Sequence, residues 1–145
     1  MSLSEDLYKE IILEHSRSPS HRGHLDACSI KEEGVNRSCG DEVEIELLVE
    51  AGRIHQIRVN GHGCSISTAS GSLLADAVEG RSIAEVHTII QQFKQMIVDQ
   101  VVVELPADLE DLEALRGVAK YPVRVKCATL SWNTLEQALL HLQEN

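Results

Sequence analysis

The hydrophobic period of this chain changes from strand-like alternation to a helical repeat at Cys64, and that change constrains the fold more than any other feature. Residues 42–49 (EVEIELLV) alternate, with Val43, Ile45 and Leu47 on one side and Glu42, Glu44 and Glu46 on the other. A short AGR turn at 51–53 follows. Residues 54–59 then alternate again through Ile54, Ile57 and Val59, with one slip. Two alternating runs joined by a short glycine turn predict an antiparallel hairpin with one dry face and one wet face. Beyond Cys64 the period becomes helical. Ile66, Ala69, Leu73, Leu74, Ala77 and Val78 form a stripe that ends at Gly80. Ser82 and Glu85 form a capping box, which opens a helix through Val86, Ile89, Ile90 and Phe93.

The remaining elements are placed by the same signals. A helix is expected from about Leu3 to His15, with Ser2 and Glu5 as its capping box and Leu7, Tyr8, Ile11, Ile12 and His15 on one face. Pro19 and Gly23 end it. Residues 27–34 are a weak strand candidate. The stretch VDQVVVELP at 98–106 fits either a helix end or an extended piece. Asp108 is expected to cap a helix carrying Leu109, Leu112 and Leu115, stopped by Gly117. A final helix is expected from about Cys127 to Gln143, with Leu135, Ala138, Leu139 and Leu142 inward. A helix, a β-meander and a run of helices make an α+β fold, a three-stranded antiparallel sheet with helices packed on one face. No linker, repeat or low-complexity tract divides the chain, so 1–145 reads as a single domain.

Composition narrows the function. Thirteen Lys and Arg against 23 Asp and Glu give a net charge of −10, and phosphate repulsion opposes such a field. Only Arg116, Lys120, Arg124 and Lys126 cluster as cations. Aromatics are 3% of the chain, too few for base-stacking platforms. Nucleic acid is therefore not an expected partner. Nor is a membrane, because no apolar run approaches the roughly 20 residues of a span. The N-terminus MSLSEDLYKE is too polar for a signal peptide, so the chain reads as cytoplasmic.

In that compartment thiols stay reduced, and the four cysteines point to metal or sulfur chemistry rather than disulfides. Cys39 lies in the loop NRSCGD before the first hairpin strand. Cys64 lies in GHGCS, after the second strand and before a helix. Cys127 follows VRVK at the expected start of the last helix. A hairpin brings the start of its first strand beside the end of its second, so Cys39 and Cys64 should converge. Near helix N-termini, Cys64 and Cys127 should feel the positive end of the dipole, which favours thiolate. Asp41 shares the loop of Cys39. Three thiolates and one carboxylate would complete a tetrahedral zinc shell or terminate a small iron–sulfur cluster. An Asp opening a strand is also an ordinary turn former, so Asp41 draws its weight from the cysteines around it. A zinc deaminase is excluded by the lack of a P-C-x-x-C pair.

LYKEIILEH at 7–15, SCGD at 38–41, GHGCSISTAS at 61–70, LEALRGV at 112–118 and RVKCATLSW at 124–132 keep a familiar order across nearly the whole chain. Through them the sequence resembles the iron–sulfur cluster assembly proteins of the NifU N-terminal/IscU superfamily, nearest to its SufU branch. The resemblance implies a zinc site made by Cys39, Asp41, Cys64 and Cys127. It also implies a cysteine desulfurase as partner, delivering persulfide sulfur, with SUF scaffold or cluster acceptor proteins further on. Two features favour the SufU pattern over IscU. Lys126 stands where IscU has a His, and the span from Cys64 to Cys127 is longer. Ser16, Arg37 and His62 depart from the SufU pattern, and none is a presumed ligand.

The expected role is a zinc-dependent sulfur acceptor, which as an enzyme would be a sulfurtransferase. Cys39 would take the sulfur, because its loop with Gly40 can move while Cys64 and Cys127 are tied to helices. Arg124, three residues before Cys127, is a supporting cation that would stabilise a persulfide anion or pair with Asp41. The rival readings are a non-enzymatic scaffold holding a transient [2Fe–2S] cluster or iron on the same ligands, and a non-catalytic zinc docking domain. Cys28 matches no motif and reads as structural. His62 reads as a surface residue at a strand end.

Overall fold

The computed structural model of the chain describes residues 3–144. The Ser2–Glu5 cap and the side chain of Leu7 lie outside what is described. In order, the elements are α1 (Leu3–Arg17), β1 (Ile30–Asn36), β2 (Asp41–Glu50), β3 (Arg53–His62), α2 (Ser65–Val78), α3 (Ile83–Ile97), a run of 3₁₀ turns (Ala107–Lys120) and α4 (Pro122–Glu144). The strands form one antiparallel sheet in the order β1-β2-β3. The Ala51–Gly52 turn joins β2 to β3, and both of its residues have positive φ (52° and 73°). That geometry matches the twist of the flanking strands.

The slip in the alternation of 54–59 has a structural cause. Leu48 pairs with Gln56 and Val49 with Ile54, which leaves His55 as an extra residue on β3. This bulge lets Ile54 and Ile57 both face the core, each fully buried with Val43, Ile45 and Leu47. The helices cover that face. Trp132 of α4 stacks on Phe93 of α3 at 3.9 Å. The Trp132 Nε1–H donates to Ser70 Oγ of α2 (2.9 Å), and the Ser70 hydroxyl donates to the Ala128 carbonyl (2.5 Å). The last bond fixes α4 against α2 beside Cys127. Among the described residues no helix is long and apolar enough to cross a membrane.

Several expectations need correction. The weak strand starts at Ile30, not residue 27, and runs to Asn36 opposite Asp41. Glu46, expected on the wet face, is 2% exposed. The segment after α1 folds over it, so its carboxylate accepts the Leu25 N–H (3.2 Å) and meets His24 Nδ1 (2.5 Å). The stretch 99–106 is neither helix nor strand. The segment carrying Leu109, Leu112 and Leu115 is 3₁₀, with Pro106 at its N-cap rather than Asp108, and it continues through Gly117 to Lys120. Spacing of three residues fits three residues per turn as well as it fits an α-helix. Finally, α4 begins at Pro122, five residues before Cys127. Proline suits the first helical position because its missing N–H has no partner there anyway.

Candidate metal centre

Each donor in the cysteine cluster is placed by a local structural necessity. The β1–β2 loop is closed by Asn36, whose carbonyl accepts the N–H groups of Gly40 (2.8 Å) and Cys39 (3.4 Å). Its side-chain oxygen also accepts the Ser38 N–H at 3.1 Å. Gly40 takes φ +78°, a conformation that favours glycine. This leaves Cys39 exposed at the loop tip, while Asp41 starts β2 at 2% exposure.

Cys64 is the N-cap of α2. Its Sγ accepts the Ser67 N–H at 3.4 Å, so the sulfur faces the positive end of that helix. The Cys64 N–H donates to Asp41 Oδ1 at 2.9 Å, and Cys64 Sγ lies 3.7 Å from Asp41 Oδ2. Cys127 Sγ lies 3.8 Å from Cys39 Sγ and is 1% exposed. The hairpin places the loops of Cys39 and Cys64 at one end of the sheet, where donor atoms of Cys39, Asp41 and Cys127 lie within 4.8 Å of one another and Cys64 joins them through Asp41.

The electrostatics of Cys127 differ from expectation. It sits in the second turn of α4 rather than at its N-terminus, so it lacks the anticipated dipole support. Burial, together with Cys64, Asp41 and Cys39, pushes its thiol far above the ordinary range. Asp41 behaves oppositely. Burial raises its carboxyl, but hydrogen bonds from Cys39, the Cys64 backbone, Cys127 and the Cys64 thiol outweigh that and hold it low. A carboxyl held low beside a thiol pushed up is an arrangement that a bound cation would relieve.

Two donor pairs have the separation that a shared metal ion imposes. Sulfurs about 2.3 Å from such an ion stand about 3.8 Å apart, and a carboxylate oxygen about 2.0–2.2 Å from it lies about 3.5–3.7 Å from a sulfur. The observed separations are 3.8 Å between Cys39 and Cys127 and 3.7 Å between Cys64 and Asp41.

The other singled-out residues are not among these donors. Cys28 is exposed in the loop before β1. His62 ends β3, 76% exposed at its side chain and 3.1 Å from Glu42. Arg124 is exposed in the first turn of α4 and makes no ion pair with Asp41 among the described residues. The sequence reading passed over Asn36, although an Asn opening a turn is a recognisable loop organiser.

Comparison with known proteins agrees with this architecture. The family described as NifU-like N terminal domain matches residues 7–144. A Streptococcus pyogenes serotype M1 protein named iron-sulfur cluster assembly scaffold protein IscU is 39% identical over 143 residues, covering 96% of this chain and 87% of its own. The zinc-dependent sulfurtransferase SufU of Bacillus subtilis strain 168 is 35% identical, covering 93% and 90%. The crystal structure of FiSufU from Fervidobacterium islandicum AW-1 superposes with a TM-score of 0.83 at 32% identity, covering 94% and 98%.

Proposed function

Because the chain belongs to the NifU-like N-terminal domain family, we propose that it serves iron–sulfur cluster assembly as a zinc-dependent sulfur acceptor. The ligands in this reading are Cys39, Asp41, Cys64 and Cys127. The observation that carries it is their spacing, 3.8 Å between sulfurs and 3.7 Å from sulfur to carboxylate oxygen. A bound zinc ion supplies no redox chemistry; it stabilises thiolates and orders the loop that carries them.

The partner is a cysteine desulfurase carrying a persulfide. Cys39 is the acceptor because it is exposed on a short loop beside Gly40, whereas Cys64 caps a helix and Cys127 is buried. The Cys39 thiolate attacks the outer sulfur of the partner's persulfide. A new S–S bond forms on Cys39, the partner's S–S bond breaks, and the partner leaves as a thiolate. Arg124, exposed three residues before Cys127, supplies a cation toward the resulting persulfide anion. Sulfur then passes to a SUF scaffold or cluster acceptor protein in the cytoplasm, where thiols stay reduced.

Lys126 before Cys127, and the long stretch between α3 and α4, favour this role over that of a scaffold. The name of the Streptococcus relative favours the scaffold, in which the same residues hold a transient [2Fe–2S] cluster. Metal analysis with a visible spectrum, on protein purified without oxygen, separates the two. The acceptor reading expects colourless protein with one zinc per chain. A brown, iron-bearing protein without zinc overturns it.

A further inference from the structure

Gly63, between the end of β3 and Cys64, has a space requirement unlike that of the other site glycine. Gly40 has a positive φ and open space around it, so its backbone conformation explains it. Gly63 has no positive φ. A Cβ built on Gly63 would stand 2.3 Å from Asp41 Oδ1, 2.7 Å from its Cγ and 3.0 Å from its Cβ. The carboxylate occupies the volume that any side chain at 63 would need. It has little freedom to yield, because it is short, 2% exposed and held by the Cys64 N–H at 2.9 Å.

The geometry points to Gly63 as a positioning residue for Asp41: its missing side chain is the slot that holds one carboxylate oxygen on the Cys64 N–H and turns the other toward the thiols. The inference rests on Asp41 being a zinc ligand. A methyl group at 63 claims the volume of the carboxylate and forces it off the Cys64 N–H, while all three cysteine side chains are retained. The site becomes three thiolates with an open position. Loss of a group that orients a ligand commonly costs 10- to 100-fold in metal affinity.

The test is a double-mutant cycle on the full chain, reading zinc affinity by competition with a chromophoric chelator. Gly63→Ala is expected to weaken zinc about 10- to 100-fold. The sulfur-to-metal charge-transfer absorption of the cobalt-loaded chain should keep its intensity, since all three thiolates remain. In an Asp41→Gly background, which removes the three atoms nearest a Cβ at 63, Gly63→Ala should change zinc affinity less than about twofold. Equal effects in both backgrounds, or none in either, overturn the positioning role. If Asp41→Gly alone leaves zinc affinity unchanged, the ligand assignment fails instead. Should Gly63→Ala not fold, recovery of folding in Asp41→Gly/Gly63→Ala supports the steric slot, and failure of both overturns it.

Discussion

Asp41 carries two loads that can be separated experimentally. Its Oδ1 accepts the Cys64 N–H at 2.9 Å, and its Oδ2 stands 3.7 Å from Cys64 Sγ, within the donor cluster. Asp41→Ala removes both. With Asp41 2% exposed, the Cys64 N–H is left without its acceptor. A buried donor stranded in this way costs about 1–3 kcal/mol. For a chain of this length that lowers the Tm of metal-free protein by about 3–10 °C. Asp41→Asn keeps a carbonyl oxygen for the Cys64 N–H and loses the anionic donor. Its metal-free Tm should therefore stay within about 2 °C of the parent. Both variants should lose zinc affinity by at least the 10- to 100-fold typical of disturbing a ligand's orientation alone. Thermal melts of metal-free protein and chelator competition of zinc-loaded protein give the two readouts. If Asp41→Asn retains the parent's zinc affinity, the carboxylate is not a ligand. If Asp41→Asn melts as low as Asp41→Ala, the Cys64 N–H bond is not what Asp41 contributes to folding.

Two further outcomes follow from burial and charge. Cys127→Ser should abolish stoichiometric zinc and the stabilisation that zinc brings, while Cys28→Ser, exposed and outside the cluster, should keep both within error. Metal analysis and melting curves check this, and zinc loss in Cys28→Ser would move that residue into the site. Glu46 gives a pH signature. The His24 hydrogen bond, opposed by burial and aided by the Leu25 N–H, holds its carboxyl below the ordinary glutamate range. A depressed folded value means the contribution is complete above about pH 4.5 and disappears as pH falls through that lower value. Glu46→Gln should lower stability at neutral pH by up to about 1.5–3 kcal/mol, the range for hydrogen bonds to charged groups. It should also flatten the acid limb of the stability curve. Urea titrations from pH 7 down to about pH 3 check the sign, and parallel curves for the two proteins contradict it.

The hairpin, the Ser82 cap and the placing of the Cys39 and Cys64 loops at one end of the sheet were legible because each follows from local pattern. Alternation sets the strands, S-x-x-E sets the cap, and antiparallel pairing brings 41 and 64 to one end. The fate of Glu46 was not legible, because alternation marks which side a residue faces but not what later covers that side. The environment of Cys127 was misread for a different reason. VRVK looks extended, but Pro122 starts the helix earlier and packing on α2 through Ser70 and Trp132 buries the thiol. The slot at Gly63 has no single-sequence signal at all. A glycine before a cysteine has many explanations, and only the fold brings the Asp41 carboxylate into the space of the missing side chain. The 3₁₀ form of 107–120 was hidden because apolar residues three apart suit both helical periods.

The measurement that tests the central claim most directly is the location of sulfur after transfer. Zinc-loaded protein is mixed with a cysteine desulfurase and cysteine, alkylated, digested and mapped by mass spectrometry. The account expects the extra sulfur on Cys39, with Cys64, Cys127 and Cys28 unmodified and Cys39→Ala accepting none. Persulfide on Cys64 or Cys127 with Cys39 bare, or undiminished acceptance by Cys39→Ala, would contradict it.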